Sequence, residues 1–343
     1  MIEGLDIEET ALEPWLEAQV QGFHGLRRVE KFATGQSNPS YRLRADSGDY
    51  VLRAKPAGKL LKSAHLVERE FRVMSALRDT AVPVPAMYAL AEDDVSPIGR
   101  AFFVMEFVDG RIFWDPALPE LDKPLRGDIH DAMNATLAAL HGVDPAAVGL
   151  GDFGKPGNYF RRQTDRWSRQ YLAAAKQPRS DLLRVMEWLS NNMPADDGQV
   201  ALVHGDFRLD NMIFHPQKPE VIALLDWELS TLGHPLADLA YQCAQWRMSH
   251  AGALRGLGGC DREALGLPDE AAYVAAYCAR RGIDEIENWR FYVVFSLFRF
   301  AAILEGVVRR AQDGNASNPE TARRYGQAIP ELADMMTDMI GDG

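Results

Sequence analysis

The sequence predicts an α+β chain in two lobes: a small β-rich lobe over residues 1–108 and a larger, mostly helical lobe over residues 109–343. Three observations predict it. Short runs of alternating apolar and polar residues, broken by turn residues, fill residues 29–55, the period-two pattern of half-buried strands. Beyond Asp109-Gly110 the apolar spacing becomes mostly helical. Two short apolar runs interrupt those helices, and they lead to Asp206 and Asp226.

In chain order, Tyr41-Arg42-Leu43-Arg44 and Tyr50-Val51-Leu52-Arg53 flank Ala45-Asp46-Ser47-Gly48-Asp49, which is a hairpin signal. From Ala64 to Arg78 the apolar positions Leu66, Val67, Phe71, Met74 and Leu77 recur at helical spacing. Val82-Pro83-Val84-Pro85 is expected to end that helix, because proline cannot continue it. Phe102 through Val108 reads as a buried strand, with a hinge near Val108 and a turn at Asp109-Gly110. A ligand site is expected between the lobes, where clefts usually form. The run Phe291–Val308 carries Arg299 and Glu305, so it reads as a buried helix rather than a membrane span.

Composition bounds the function classes. A chain of 343 residues, 47% hydrophobic and 25% charged, has room for two lobes with ordinary cores. Its 37 Lys+Arg against 49 Asp+Glu give a formal charge of −12, which argues against nucleic acid as a partner, since phosphate backbones want a basic face. Overall charge says little about one pocket. Cys243, Cys260 and Cys278 are an odd number without CxxC spacing, so they read as reduced thiols, not as zinc ligands or a disulfide framework. The start, Met1-Ile2-Glu3-Gly4-Leu5-Asp6, lacks the basic-then-apolar layout of a signal peptide. The expectation is a cytoplasmic protein with no membrane partner; the sequence leaves its oligomeric state open.

The richest stretch is Leu202-Val203-His204-Gly205-Asp206-Phe207-Arg208-Leu209-Asp210-Asn211, followed by Val221-Ile222-Ala223-Leu224-Leu225 and Asp226-Trp227-Glu228. Taken alone, Asp206 or Asn211 would be turn chemistry, since both side chains bond nearby backbone. A lone Asp226 could be a helix N-cap. Together they supply what phosphoryl transfer needs: a carboxylate beside an acceptor hydroxyl, and two hard oxygen donors for Mg²⁺ bridging phosphate oxygens.

HGDxxxxN, an apolar run and DWE resemble the aminoglycoside phosphotransferase and choline kinase family, relatives of the protein kinases. The resemblance runs from about Phe32 to the last helices, and it implies a two-lobed protein-kinase-like fold. The tail from Asp226-Trp227-Glu228 through Gly233-His234-Pro235 to Asp238-Leu239-Ala240 is similar to phosphotransferases related to the kinase-like part of certain acyl-CoA dehydrogenase proteins. The resemblance implies an ATP- and Mg²⁺-dependent kinase acting on a small hydroxylated molecule, with the nucleotide between the lobes. Asp206 would accept or orient the hydroxyl proton, and Asn211 and Asp226 would hold Mg²⁺. His204 would brace the loop and Asp238 would lock it, since a buried carboxylate must find partners. Arg208 could neutralise the moving phosphate or be a surface charge, and Glu228 could reach a second ion or the substrate.

For the nucleotide, Phe32-Ala33-Thr34-Gly35-Gln36-Ser37-Asn38 joins the first two strands, and its small and polar residues let backbone N–H groups approach phosphate oxygens. The phosphate-holding Lys of the family falls at Arg53, a departure. Arginine keeps a fixed charge and a planar fork, so the role stays chemically open to it. Lys55, two residues on and on the same strand face, is the rival. Glu70 matches the family's helix Glu. Glu68 lies about 200° away around the helix and reads as solvated. Glu106 and Val108 align with the residues whose backbone would meet the adenine edge, with Met105 behind them. Asp152-Phe153-Gly154 spells the kinase metal motif but precedes the catalytic loop instead of following it, and is set aside.

For the acceptor, Tyr159, Trp167 and Tyr171 could line a pocket or fill the core, and Arg299, Arg309 and Asn315 supply polarity near the end. Arginines there favour an anionic substrate, a hydroxyacyl-CoA or hydroxy acid, over an aminoglycoside, for which clustered carboxylates would be wanted. Choline and sugar acceptors stay open. So does a catalytically silent ATP-binding module, favoured by Arg53 and opposed by intact Asp206, Asn211 and Asp226. A metal-dependent phosphatase would leave the small lobe without a purpose.

Overall fold

The computed structural model describes residues 9–32, 38–56, 66–313 and 319–341. The chain opens with α1 (Glu9–Gln19), β1 (Leu26–Lys31), β2 (Ser40–Ala45) and β3 (Gly48–Ala54). Next come α2 (Val67–Leu77), β4 (Met87–Ala91) and β5 (Phe102–Glu106). Helices α3 (Lys123–Gly142), α4 (Tyr159–Ala174) and α5 (Ser180–Asn191) follow. Four short strands, β6 (Ala201–Val203), β7 (Met212–Phe214), β8 (Val221–Leu224) and β9 (Thr231–Gly233), carry the motif region. The last helices are α6 (Leu236–Arg247), α7 (Arg262–Leu265), α8 (Glu270–Arg281), α9 (Trp289–Gln312) and α10 (Pro319–Ile340). The β-rich start and helical remainder are the mixed α+β, protein-kinase-like arrangement expected.

These elements form two compact units. The first takes Met1–Ile112, Val148–Leu150 and Asn211–Ser230, and the second takes Phe113–Ala147, Gly151–Asp210 and Thr231–Gly343. The linear reading divided the chain once, at 108. The first unit extends to Ile112 and gathers in β7 and β8, a pairing that no local pattern announces.

In the first unit, five antiparallel strands run in the order β1-β2-β3-β5-β4. The predicted hairpin closes between Ala45 and Gly48, which is paired across the turn with φ +130, a backbone angle side chains resist. Leu12, Leu16 and Phe23 pack with Tyr41, Leu43, Leu52 and Phe102, all buried. Each such side chain removed from water contributes about 1.5–3 kcal/mol. Helix α2 stops at Leu77, well before Pro83. The Thr80 hydroxyl donates to the Leu77 carbonyl at 2.7 Å and the Thr80 amide bonds the same oxygen at 3.0 Å, so a local cap ends the helix first. Strand β5 ends at Glu106, leaving Phe107 and Val108 outside the ladder.

The second unit is built around α9, which packs against α4, α6 and α10. By length and composition α9 could cross a membrane, but its most apolar window is 72% buried inside the protein, which accounts for that apolarity. The β6 and β9 pair, with Ala201 opposite Gly233, leads into the loop that carries Asp206. A Cβ at Gly233 would sit 2.5 Å from the Tyr159 ring, so only glycine lets α4 approach this strand.

Candidate functional site

In the first unit, β3 and α2 set a cation against carboxylates. Arg53, near the end of β3, donates from Nε to Glu70 Oε1 at 3.2 Å and lies 3.0 Å from Oε2. Its Nη2 reaches Asp226 Oδ1 at 2.6 Å. Glu70 is fully buried on the inner face of α2 and also accepts from the Asn38 amide at 2.8 Å. Burial pushes the Glu70 carboxyl up to about 7 against the pull of Arg53, with Asp226 and Glu228 adding to the rise. The neighbouring carboxylates hold the Arg53 charge in place despite burial. Lys55 instead pairs with Glu68 and with Asp93, the latter at 2.9 Å.

Asn211 and Asp226 belong to the same unit, at one end of the β7–β8 hairpin. The register Met212↔Leu224 and a Leu225 amide bonded to the Asn211 carbonyl at 2.8 Å set the two segments side by side. Asp226 adopts φ 64 and ψ 60, the left-handed region, which Asp tolerates better than bulky residues. Trp227 anchors the turn, fully buried, with its indole N–H on the Leu224 carbonyl at 2.9 Å. An amide oxygen and a carboxylate are hard donors that suit Mg²⁺, an ion usually held by one or two carboxylates plus phosphates and water. Among the described residues no group of three or more His, Cys, Asp or Glu is placed to hold a metal.

In the second unit the loop after β6 carries Asp206. Asp238, buried at the start of α6, accepts from the His204 amide at 2.6 Å and from the Gly205 amide at 2.8 Å. His141 stands beside the same carboxylate at 3.4 Å and bonds the Tyr277 hydroxyl at 2.7 Å through Nδ1. Burial raises the Asp238 carboxyl, but His141, His204 and the Gly205 amide more than offset it and hold it below 3.8. Gly205 has φ +85, which lets the loop turn. The Arg299 Nη2 donates to the Gly205 carbonyl at 2.6 Å.

Asp206 itself accepts from the Tyr241 hydroxyl at 2.5 Å. Arg208 lies 3.7 Å away and also bonds Asp210. Burial acts to raise the Asp206 carboxyl, yet Arg208 and the Tyr241 hydroxyl hold it below 3.8. The result is a carboxylate ionised at neutral pH, oriented by a phenol and placed on a loop fixed from two sides.

Arg53 meets Glu70 and Asp226, while the Lys55 ammonium pairs with Glu68 and Asp93. Thr34, Gly35, Gln36 and Ser37 of the phosphate loop, and Asn315, lie outside the described residues. Asn38 turns its side chain onto Glu70. Glu106 ends β5 with its amide on the Ala86 carbonyl at 2.8 Å and its carboxylate on the Ala86 amide at 3.1 Å; Val108 is half-buried just beyond, and Met105 is core. His204 is fully buried, its Nδ1 taking the Asp206 amide at 3.2 Å, a bracing role. Gly154 of the set-aside DFG has no room for a Cβ, which would lie 2.5 Å from Thr231 Oγ1, and Phe153 is core: the triplet is packing. Arg299, expected near substrate, is 6% exposed and braces the catalytic loop. Tyr171 is core, with its hydroxyl accepting from the Arg179 amide at 2.8 Å. Tyr241 was missed. Its position three residues after Asp238, on one face of α6, was the only available signal.

A model of the phosphotransferase enzyme family matches residues 28–292. The chain belongs to that family. Its members transfer phosphate from ATP to hydroxyl groups of small molecules. Among relatives, mouse acyl-CoA dehydrogenase family member 10 is 46% identical over 335 residues, 97% of this chain and 31% of that protein. The chain thus spans about a third of that relative's length. A crystal structure of a candidate aminoglycoside phosphotransferase from Ralstonia eutropha JMP134 is 46% identical with a TM-score of 0.88, over 97% of this chain and 98% of that one. Spectinomycin phosphotransferase, solved with ADP and spectinomycin, shares the family fold with a TM-score of 0.63 at 12% identity, over 96% of this chain and 99% of that one.

Proposed function

We propose that this phosphotransferase is an ATP- and Mg²⁺-dependent kinase that moves the γ-phosphoryl group onto the hydroxyl of a hydroxyacyl-CoA or related hydroxy acid. The observation that carries the reading is Asp206: an ionised carboxylate, oriented by Tyr241 on a loop pinned by Asp238 and Arg299. Such a group accepts the acceptor's proton as its oxygen bonds to the γ-phosphorus and the bond to the ADP oxygen breaks. Arg53, held in place by Glu70, suits the role of holding the α and β phosphates, as it offers a planar fork of N–H donors. Asn211 and Asp226 would hold Mg²⁺, which when bound neutralises charge on the phosphate oxygens. Glu106 and Val108 would meet the adenine edge through backbone groups.

The acceptor class is supported by kinship and by charge. The relatives that match carry acyl-CoA dehydrogenase names. The second unit offers Arg309 and Arg310 near the end of α9, whereas a polycationic antibiotic would want carboxylates. A cytoplasmic setting belongs to the same reading, supported by three cysteines that form no disulfide.

The test is ADP release with Mg²⁺ and ATP across hydroxyacyl-CoAs, hydroxy acids, aminoglycosides, choline and sugars, beside Asp206→Ala. Hydroxyacyl-dependent turnover that vanishes in Asp206→Ala is expected. Thermal stabilisation by ATP without turnover on any acceptor would instead make the chain a silent nucleotide-binding module.

A further inference from the structure

A cavity of about 420 Å³ opens between α4 and α9 in the second unit, lined among others by Trp167, Ala174, Ala302, Gly306, Arg309 and Arg310. Its size falls within the range of small-ligand sites. We infer that this cavity binds the phosphate-bearing end of an elongated acyl-thioester acceptor, with Arg309 and Arg310 on the phosphates and the Trp167 indole against a flat part of the carrier. The inference rests on the hydroxyacyl-CoA reading above and adds the place where the carrier lies.

Three features of the cavity argue for that ligand. The first is charge. Adjacent arginines present guanidinium forks, the groups that match phosphate best. Arg309 shares one N–H with Asp313 at 2.8 Å and keeps further donors, and Arg310 is exposed. The second is shape. Ala302 and Gly306 stand one helical turn apart on α9 and leave a smooth floor, along which a narrow chain can lie close to the helix. A Cβ at Gly306 would meet nothing nearer than Arg310 Nη1 at 3.7 Å, so the space above it is open.

The third is the link to the catalytic loop. The Arg299 guanidinium lies 5.5 Å from the Trp167 ring centre and 5.0 Å from that of Tyr241, while bonding the Gly205 carbonyl. Tyr241 in turn bonds Asp206. The wall of the cavity and the reacting carboxylate are thus joined through one arginine. From Arg299 to Arg309 is ten residues of α9, or about 15 Å at the helical rise. An acceptor with its hydroxyl at Asp206 and its anionic end at Arg309 must be elongated. Choline or a single sugar is too short to use both ends; a thioester on a phosphorylated carrier arm is long enough.

The test measures coenzyme A binding by calorimetry, with ADP saturating so that the nucleotide site is already filled. Pantetheine, which lacks the phosphates, is the comparison. Wild type should bind coenzyme A more tightly than pantetheine. The Arg309→Ala/Arg310→Ala double variant should weaken coenzyme A by about tenfold or more, the scale of losing one charged contact or two. Gly306→Leu, which fills open space without pressing on the fold, should weaken it as well. Coenzyme A bound equally by wild type and both variants, or not bound by wild type, overturns the inference. Asp206→Asn separates the two readings: it should abolish phosphoryl transfer and keep coenzyme A binding. Arginine-dependent binding with no phosphoryl transfer to any hydroxyacyl thioester in wild type would sink the proposed function and leave the cavity assigned.

Discussion

Tyr241→Phe isolates one hydroxyl. The ring is 4% exposed and stacks on Phe300 at 4.5 Å with 15° between planes, and a phenylalanine keeps that packing. What is lost is the 2.5 Å bond to Asp206 Oδ1. A hydrogen bond to a charged group contributes about 1.5–3 kcal/mol. With about 1.4 kcal/mol per pKa unit, the Asp206 carboxyl should rise by about one to two units. Arg208 and the Tyr241 hydroxyl hold the wild-type group below the usual carboxylate range, so the variant should titrate at higher pH than wild type. The assay is kcat/KM for the acceptor between about pH 5 and pH 8.5 at saturating Mg²⁺ and ATP. The acid limb of the variant's profile should begin at higher pH than that of wild type. Above neutrality both carboxylates are ionised, so any fall in kcat there, about tenfold or less, reports lost orientation and not lost charge. Superimposable profiles with equal kcat would refute the positioning role and make the contact merely structural.

Arg53→Lys should keep activity with a modest rise in the KM for ATP, whereas Arg53→Ala should raise that KM strongly; an unchanged KM would return the phosphate role to Lys55. Arg53→Ala also leaves buried Glu70 without its cation, a loss of about 3–5 kcal/mol where such a charge stays ionised. Because burial already raises Glu70 to about 7, the orphaned carboxyl takes a proton at low pH, and the variant's melting temperature should be nearer wild type at pH 5 than at pH 8. Asp238 runs the other way: its folded pKa is depressed, so its stabilisation is present above 3.8 and lost as pH falls further. Asp238→Asn should therefore destabilise at neutral pH, measured by urea unfolding, and lower kcat by loosening the loop; equal unfolding midpoints would count against the lock. Gly205→Ala forces a side chain to φ +85 and should cost about 1–2 kcal/mol with a fall in kcat.

What could be read from the sequence depended on locality. The β2–β3 hairpin was legible because turn chemistry and strand alternation lie within a dozen residues. Helix α9 was legible because its apolar run Phe291–Val308 is long and carries only two charges, Arg299 and Glu305. The end of α2 was legible, since the helical spacing stops at Leu77 and Arg78, but its cause was not: Thr80 bonds the Leu77 carbonyl before Pro83 is reached. The inclusion of Asn211–Ser230 in the first unit was invisible, since only tertiary pairing, such as the Arg111 and Phe214 bridge, binds that hairpin there. At the site, motif residues were found because their spacing is fixed by chemistry. Their supports were not: Arg299 lies 94 residues from the glycine carbonyl it bonds, and Tyr241 lies 35 from its aspartate.

Arg53 is the departure that decides whether the first unit can serve a nucleotide. A lysine offers one compact charge, but this position faces two carboxylates on different elements, Glu70 from α2 and Asp226 after β8. A guanidinium can meet both at once from different nitrogens, Nε toward Glu70 and Nη2 toward Asp226, and it cannot deprotonate when buried. That permanence matters because the Glu70 carboxyl, raised to about 7, would be neutral near physiological pH if its partner could also lose charge. The same fork must yield Asp226 for that carboxylate to serve a metal. On the proposed kinase reading, Arg53 would exchange a carboxylate for phosphate oxygens as nucleotide binds, a swap between two anions for which arginine is suited. On this account Arg53→Lys should lower thermal stability without nucleotide by weakening the Glu70 link, and stability at saturating ATP should fall by that amount plus the smaller loss in ATP binding.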